Sequence, residues 1–145
     1  KESTRSAFLK CLDEACIKSG WRVHAWCVMS NHYHLCVETP APNLVAGMKW
    51  LQATFSLRFN RLRNERGHVF QGRYKALPVD PDAVGAVCHY IHLNPVRAKV
   101  RTLASFAEWP WSSAAWLMAP RLRKVWFSPE ACLTHAGVSR VLRPS

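Results

Sequence analysis

The spacing of apolar positions divides the chain into helical and strand-like segments. Residues 3 to 19 repeat apolar side chains with the period of a helix, and Gly20 ends that pattern. Residues 21 to 29 and 32 to 38 have the period of two that is typical of strands. Ser30 and Asn31 lie between these segments at a natural turn position. The pattern therefore predicts a β-hairpin with His32 near its tip.

The rest of the chain continues this alternation of helices and strands. Asn43 is predicted to cap a long helix that runs to about residue 63. Residues 68 to 79 predict a strand split by Gly72. Residues 83 to about 94 predict a further helix closed by Pro95, because the residue before a proline is steered out of the helical region. A short final helix begins near residues 128 to 130. This order predicts an α+β chain built on a small antiparallel sheet.

The charge balance narrows the class of partner. The chain has 145 residues, enough for one compact domain, and 20 Lys and Arg against 9 Asp and Glu give a net charge of +11. This surplus favours a polyanionic partner, because basic side chains displace counterions from phosphates. Nucleic acid is preferred to an anionic membrane, because no basic amphipathic stretch has one broad apolar face. No apolar run approaches the roughly 20 residues that span a bilayer.

Several reaction classes lack their sequence signatures. The six cysteines are scattered without a Cys-x-x-Cys pair, which predicts buried thiols in a reducing cytoplasm. The nine carboxylates form no clustered triad of the kind a two-metal nuclease uses. There is no phosphate-binding glycine loop, no Gly-x-Ser-x-Gly and no Cys-His nucleophile signature.

Two histidines spaced by one residue make the first candidate site. His32 and His34 point to the same side if the segment around Tyr33 is a strand. Two neutral imidazoles side by side are half of a divalent metal site, and they suit zinc, manganese or a histidine-assisted magnesium ion. The alternative is a coincidental pair among the seven histidines of the chain.

Tyr90 is the candidate nucleophile. On a helix, Asn94 lies one turn beyond Tyr90 on the same face, whereas His89 and His92 project elsewhere. A phenol next to an amide oxygen suits a shared metal and phosphate site. The alternative is an amphipathic core helix with a half-buried tyrosine.

Basic side chains interleaved with aromatic rings suggest contacts to nucleic acid. The stretch from Phe70 to Lys75 alternates rings and cations, which suits stacking on exposed bases beside neutralised phosphates. The long helix carries arginines that could track a phosphate backbone, although a solvated helix face explains them equally well. Trp109, Trp111 and Trp116 are interpreted as core or as a lid on the sheet.

Four motifs occur in a characteristic order. They are Ser30-Asn31-His32-Tyr33-His34-Leu35, Phe70-Gln71-Gly72-Arg73-Tyr74-Lys75, Tyr90-Ile91-His92-Leu93-Asn94-Pro95-Val96-Arg97-Ala98 and Trp109-Pro110-Trp111-Ser112-Ser113. Together they resemble the REP-associated tyrosine transposases, which are IS200-like, single-tyrosine HUH transposases. The middle position of the histidine motif, here Tyr33, is hydrophobic in the usual pattern. The similarity extends from about residue 8 to residue 133.

The resemblance implies a fold and a reaction. The fold is ferredoxin-like, with an antiparallel sheet that carries His32 and His34 and helices packed on one face. These histidines and Asn94 are implied to bind Mg²⁺ or Mn²⁺, with Tyr90 as the nucleophile. The implied reaction cleaves and rejoins single-stranded DNA at repeated hairpin-forming sites through a 5′-phosphotyrosine. The expected DNA-binding residues are Arg58, Arg61, Arg63, Arg66, Arg73, Lys75, Arg97, Arg121, Arg123 and Lys124.

The resemblance also sets expectations about organisation. Residues 1–117 are predicted to form the transposase domain, and residues 118–145 a basic loop and short helix. Family members usually start with a strand and a Gly-Asn-rich loop, whereas this chain starts directly before the first helix, so part of the sheet is expected to be missing. The protein is expected in the bacterial cytoplasm at the nucleoid, as a monomer or homodimer without membrane contact.

Two alternatives to a working transposase remain open at this point. One is a catalytically inactive or truncated DNA-binding remnant of the same family. The other is a zinc-stabilised structural domain in which Cys27 or Cys36 joins His32 and His34.

Overall fold

Helices dominate the structure, with one β-hairpin among them. The computed structural model describes residues 2–70 and 73–135. The elements of the described residues are α1 (Glu2–Ser19), β1 (Arg22–Val28), β2 (Tyr33–Glu38), α2 (Leu44–Arg63), α3 (Val84–His92), α4 (Asn94–Arg97), α5 (Ala114–Met118) and α6 (Glu130–His135), with single 3₁₀ turns at Pro81–Ala83, Phe106–Glu108 and Pro120–Leu122. The predicted α+β class is confirmed, as are the first helix, the hairpin, the long helix and the short final helix.

The chain divides into two compact units. The first unit comprises residues 1–21 and 39–78, and the second comprises residues 22–38 and 79–145. The second unit is discontinuous, because the hairpin at residues 22–38 packs with the later part of the chain. The separate segment predicted from residue 118 onward stays a prediction, although Phe127 and Cys132 are buried within the second unit.

Helices α1 and α2 form the first unit. Their apolar faces meet, with Phe8 and Leu12 of α1 and Leu51 and Phe55 of α2 all buried. The rings of Phe8 and Phe55 pack edge to face, with centroids 5.4 Å apart. This contact uses the apolar positions that the helical period predicted.

Asn43 has a different role from the one predicted. Its side chain makes no capping hydrogen bond to α2. Instead, Asn43 Nδ2 donates to the Ser19 carbonyl at 2.8 Å, and its Oδ1 accepts from Trp21 Nε1 at 3.0 Å. The amide therefore connects the start of α2 to the end of α1, because both of its polar ends find partners there.

Gly47 allows Trp21 to pack directly against α2. A Cβ at position 47 would overlap the indole carbons Cζ2 and Cη2. The ring cannot easily move away, because it is buried and Asn43 holds its Nε1.

We expect Gly47→Ala to lower the free energy of unfolding by about 1–3 kcal/mol, the usual cost of overpacking a core. Helix propensity alone predicts the opposite, a gain of about 1 kcal/mol. Urea denaturation separates the two, with Ala46→Ser on the exposed face of α2 as the control. A more stable Gly47→Ala chain would show that Trp21 yields to the added methyl group.

The second unit is built on the hairpin. Strands β1 and β2 pair antiparallel, with Cys27 opposite His34 and Ala25 opposite Cys36. Helix α3 packs against both strands, and α6 packs against α3 and β1. The core between them consists of small and sulfur-containing side chains: Ala25, Cys27, Met29, Cys36, Cys88, Ile91 and Cys132. All six cysteines of the chain are free and buried, as predicted.

Two later segments bind the edge of β1 that is not paired with β2. The Val28 N–H donates to the Trp111 carbonyl at 2.7 Å, and the Ser113 N–H donates to the Trp26 carbonyl at 2.9 Å. At the other end of the strand, Val23 exchanges backbone hydrogen bonds with residues 126 and 128. These bonds fix the aromatic segment after residue 109 against the hairpin.

One predicted helix boundary and one predicted strand were wrong. Helix α3 ends at His92, and Pro95 lies inside the first turn of α4, where its missing N–H needs no partner. The predicted strand over residues 68 to 79 does not form in its described part, residues 68–70 and 73–79. Residues 75–79 are exposed, and no neighbouring strand supplies hydrogen bonds to them. Gly72 and Gln71, which belong to this prediction, lie outside the described residues.

Candidate functional site

The two histidines of the first motif lie side by side at the start of β2. Their ring centroids are 5.2 Å apart and their planes are nearly perpendicular. His32 Nδ1 donates to Asn31 Oδ1 at 2.7 Å, because an amide oxygen can only accept. That bond leaves the lone pair of the His32 imidazole on Nε2, the tautomer that a metal ligand needs.

His34 is half-buried and lies in a positive environment. Burial lowers the pKa of its imidazole, and the nearby charges of His32 and Arg97 lower it further. Burial and the nearby guanidinium of Arg97 both favour the neutral ring, because a protonated His34 would be poorly hydrated and would lie near another positive charge. His34 is therefore held as a neutral imidazole.

Arg97 connects Tyr90 to this histidine environment. Its guanidinium carbon lies 3.6 Å from the centre of the Tyr90 ring, and its Nη2 donates to the Tyr90 carbonyl at 2.7 Å. The same charge lowers the pKa of His34. Tyr90 itself is 57% exposed, so its phenol is open to a large substrate. Arg97 thus contacts the candidate nucleophile and is close enough for its charge to act on His34.

Asn94 is buried at the start of α4. Its Nδ2 donates to the Ile91 carbonyl at 3.2 Å, a bond that sets the orientation of the amide and leaves Oδ1 as its acceptor. Because α3 ends at His92, Asn94 does not continue the helical turn of Tyr90 as predicted. Its role as a metal ligand stays a prediction.

The structural-zinc alternative at the histidine pair finds no support among the described residues. Within residues 2–70 and 73–135, neither Cys27 nor Cys36 forms a three-ligand cluster with His32 and His34. Cys27 Sγ instead contacts Met29 Sδ at 3.7 Å, and the thiols of Cys36 and Cys88 hydrogen-bond to each other.

A second cluster of ligand-type side chains occurs between α3 and α6. One ligand atom from each of His89, His92 and Cys132 lies within 4.8 Å of the others, so the three could hold a metal ion. The sequence pattern did not reveal this group. It predicted only that His89 and His92 project away from the helix face that carries Tyr90 and Asn94. The available signal was a His-x-x-His pair followed forty residues later by Cys132-x-x-His135.

The basic residues of the first unit differ in whether their charges are free to contact DNA. Arg58 makes a two-pronged ion pair with Glu14, at 2.6 and 3.1 Å, so an internal carboxylate already compensates its charge. Arg63 donates to Glu65 at 3.2 Å. The remaining predicted DNA contacts of this unit are exposed: Arg61, Arg66, Arg73 and Lys75.

The basic residues of the second unit also fall into two groups. Arg121 and Lys124 are exposed. Arg123 donates to the carbonyls of Trp116 and Leu117, at 2.8 and 3.2 Å, and so closes the C-terminal end of α5. Its guanidinium therefore has a structural partner in addition to its predicted contact with DNA.

The tryptophans of the aromatic segment pack internally, as predicted. The Trp116 ring contacts Trp26, Trp126 and Phe127, with centroid distances of 5.0, 5.6 and 5.2 Å. Trp109 Nε1 donates to the Val28 carbonyl at 3.3 Å. Trp109 and Trp116 are partly buried, and Trp109 packs against the core of the second unit.

Comparison with known families identifies the family of this chain. A family model described as transposase IS200 like matches residues 1–94, about two thirds of the chain. The chain belongs to the IS200-like transposase family. The matched residues include both histidines, Tyr90 and Asn94. No curated protein and no solved structure matches the chain.

Membership of the IS200-like transposases assigns the protein a role in transposition and a DNA partner, and the family is metal-dependent in general. The +11 charge fits a DNA partner. In the described part of the chain, no helix is both long and apolar enough to cross a membrane.

Proposed function

We propose that this IS200-like transposase cleaves and rejoins single-stranded DNA at repeated hairpin-forming sites of the REP type, with Tyr90 as the covalent nucleophile. In this proposal the transposase acts at the bacterial nucleoid, as a monomer or a homodimer. The observation that carries the proposal is Arg97, whose guanidinium covers the Tyr90 ring and whose charge acts on His34. Arg97 thus contacts the candidate nucleophile and also acts electrostatically on one histidine of the pair.

The residues at the histidine pair fit a divalent metal. His32 presents a lone pair on Nε2 because Asn31 accepts from Nδ1, and His34 is neutral. Asn94 offers an amide oxygen, the type of ligand that Mg²⁺ and Mn²⁺ accept. A bound Mg²⁺ or Mn²⁺ would polarise the scissile phosphate and stabilise its developing charge.

The covalent step is balanced without an external energy source. The Tyr90 oxygen forms a bond to phosphorus and loses its proton, while the bond from phosphorus to the 3′ oxygen breaks. The departing 3′ oxygen takes up a proton and becomes a free hydroxyl. A 3′-hydroxyl can reverse the step, because the phosphotyrosine retains the energy of the phosphodiester. Exposure of Tyr90 leaves room for the DNA strand on one side of its ring.

The test is a covalent-adduct assay. The full chain is incubated with labelled single-stranded REP-type hairpins, with Mg²⁺, with Mn²⁺ or with EDTA, and run on a denaturing protein gel. We expect a protein–DNA band with either metal and none with EDTA. A folded chain that shifts the hairpins in a native gel but forms no band on any of them would contradict cleavage and identify a DNA-binding remnant.

Arg97 is expected to act as a positioning residue for Tyr90. We predict that Arg97→Ala slows adduct formation by about tenfold, the scale of one cation–π contact and one hydrogen bond. Arg97→Lys keeps the charge but loses the planar group that stacks on the ring and reaches the Tyr90 carbonyl. If Arg97 served only as a phosphate contact, Arg97→Lys would restore the rate, and both variants would change hairpin affinity rather than the single-turnover rate.

A further inference from the structure

The cluster between α3 and α6 has the composition of a metal site. His89 and His92 are three residues apart on α3, and Cys132 and His135 are three residues apart on α6. Residues at this spacing share one face of a helix. The rings of His89 and His135 lie next to each other, with centroids 4.9 Å apart. Two helices therefore present two imidazoles, then a thiol and an imidazole, toward one another.

The interatomic distances are close to those of tetrahedral zinc. Cys132 Sγ lies 3.8 Å from His92 Nδ1 and 3.9 Å from both ring nitrogens of His89. With Zn–S bonds of about 2.3 Å and Zn–N bonds of about 2.0 Å, a sulfur and a nitrogen ligand lie about 3.5 Å apart. Binding thus requires the sulfur–nitrogen pairs to close by only a few tenths of an ångström, within a group whose ligand atoms all lie within 4.8 Å of one another.

The Cys132 sulfur is shared between two imidazoles. As a thiol it can donate its proton to one ring nitrogen and accept only weakly from the N–H of the other ring. Cys132 is fully buried, so water cannot supply further partners to its sulfur. A single cation would satisfy the thiolate and both rings at once.

Ser113 sets the orientation of the most buried ligand. Its hydroxyl oxygen accepts from the Trp26 N–H at 2.9 Å and lies 2.7 Å from His92 Nε2, and the Trp26 carbonyl is 3.3 Å away. The His92 tautomer that donates from Nε2 to this oxygen has its lone pair on Nδ1, the nitrogen that faces Cys132. Histidine ligands of metals have an outer partner of this kind.

Gly85 brings the two helices into direct contact. A Cβ at position 85 would overlap the Cβ of His135 and lie 2.9 Å from the Ala131 carbonyl oxygen. Helix α6 has only six residues, too few to be stable without tertiary support. A cross-link between the helices would give it that support.

We infer that His89, His92 and Cys132 hold a structural zinc ion that fastens α6 to α3, and that the exposed His135, whose ring lies beside His89, turns to supply the fourth ligand. The site is distinct from the proposed reaction at Tyr90. Cys132 and His135 also lie beyond residues 1–94, the segment that matches the family. Four protein ligands, with no position left for water or substrate, define a structural rather than a catalytic zinc site.

The test uses zinc content and cobalt spectroscopy of the full chain. The chain purified without chelator is expected to retain one zinc per molecule and to melt several degrees lower after chelation. Reconstitution with Co²⁺ is expected to give the strong visible bands of a tetrahedral ion and a thiolate charge-transfer band in the near ultraviolet. Cys132→Ala should lose that band and its bound metal, whereas Cys16→Ala, an equally buried thiol in the first unit, should keep both.

Two further variants separate loss of zinc from loss of folding and from loss of the proposed reaction. His89 is only partly buried, so His89→Gln should fold. Loss of a hydrogen-bond partner of a metal ligand weakens metal binding by roughly 10- to 100-fold, and loss of the ligand His89 itself should weaken zinc binding by at least as much. Tyr90→Phe should retain zinc fully, which separates this site from the proposed reaction. An octahedral cobalt spectrum, or a charge-transfer band that survives in Cys132→Ala, would overturn the inference.

Discussion

Replacing Tyr90 by phenylalanine is expected to abolish the covalent protein–DNA adduct, with a loss of about a thousandfold or more in its rate of formation. Phenylalanine retains the ring that Arg97 covers and the backbone carbonyl to which Arg97 donates. Only the attacking oxygen is removed. Because the ring is 57% exposed, the change should leave the melting temperature and the hairpin affinity nearly unaltered.

The chain contains only two other tyrosines, and they provide the controls. Tyr33 lies between the two histidines, and Tyr74 lies in the stretch predicted to stack on bases. Tyr33→Phe and Tyr74→Phe are expected to form the adduct at a rate within a few-fold of the unmodified chain. An adduct that persists in Tyr90→Phe and disappears in Tyr33→Phe would identify Tyr33 of β2 as the nucleophile and contradict the proposal. Mass spectrometry of the adduct peptide provides the same distinction directly.

The second large effect is expected at His34. His34→Ala should abolish cleavage in Mg²⁺ and in Mn²⁺, because it removes a neutral imidazole from the proposed metal site. Affinity for the hairpin should stay within a few-fold, because contacts of basic side chains with phosphates supply most of the binding energy. Cleavage in a denaturing gel and binding at fixed salt concentration measure the two effects separately.

His24 offers a matched control within the same hairpin. It lies on β1 and its Nε2 pairs with Glu38 at 3.0 Å, so His24→Ala removes an imidazole without touching the histidine pair. We expect His24→Ala to cleave normally. A collapse of hairpin binding in His34→Ala but not in His24→Ala would mean that the histidine pair maintains the fold. His34→Ala should also retain the zinc assigned to α3 and α6, because none of its ligands has changed.

The period of the apolar positions was sufficient to predict the elements that depend on residues close in sequence. Helices α1 and α2 end within a residue or two of the predicted positions, because their apolar faces repeat every turn. The hairpin followed from two alternating segments and a two-residue turn. The strand expected over residues 68 to 79 was wrong in its described part, since alternation alone does not supply a neighbouring strand.

The number of charged residues likewise does not predict which basic side chains are free to contact DNA. The sequence indicates an excess of positive charge but does not indicate which arginines are already paired. Arg58 was expected to contact DNA, yet Glu14 lies forty-four positions earlier in the chain and binds its guanidinium on both nitrogens. Arg123 was expected to do the same, and it closes the end of α5. Such pairs depend on packing between elements that no local pattern encodes.

The sequence by itself determined the first, the long and the final helix, the hairpin and the two motifs that contain His32, His34 and Tyr90, because short-range spacing decides which side chains share a face. It also sufficed for the resemblance to IS200-like transposases, which the family match confirmed. Only the tertiary structure decided that Arg97 lies over Tyr90 and that Cys132 meets His89 and His92. The physical reason is that these contacts arise where one helix packs against another element, and the free energy of that packing comes from buried surface far apart in sequence.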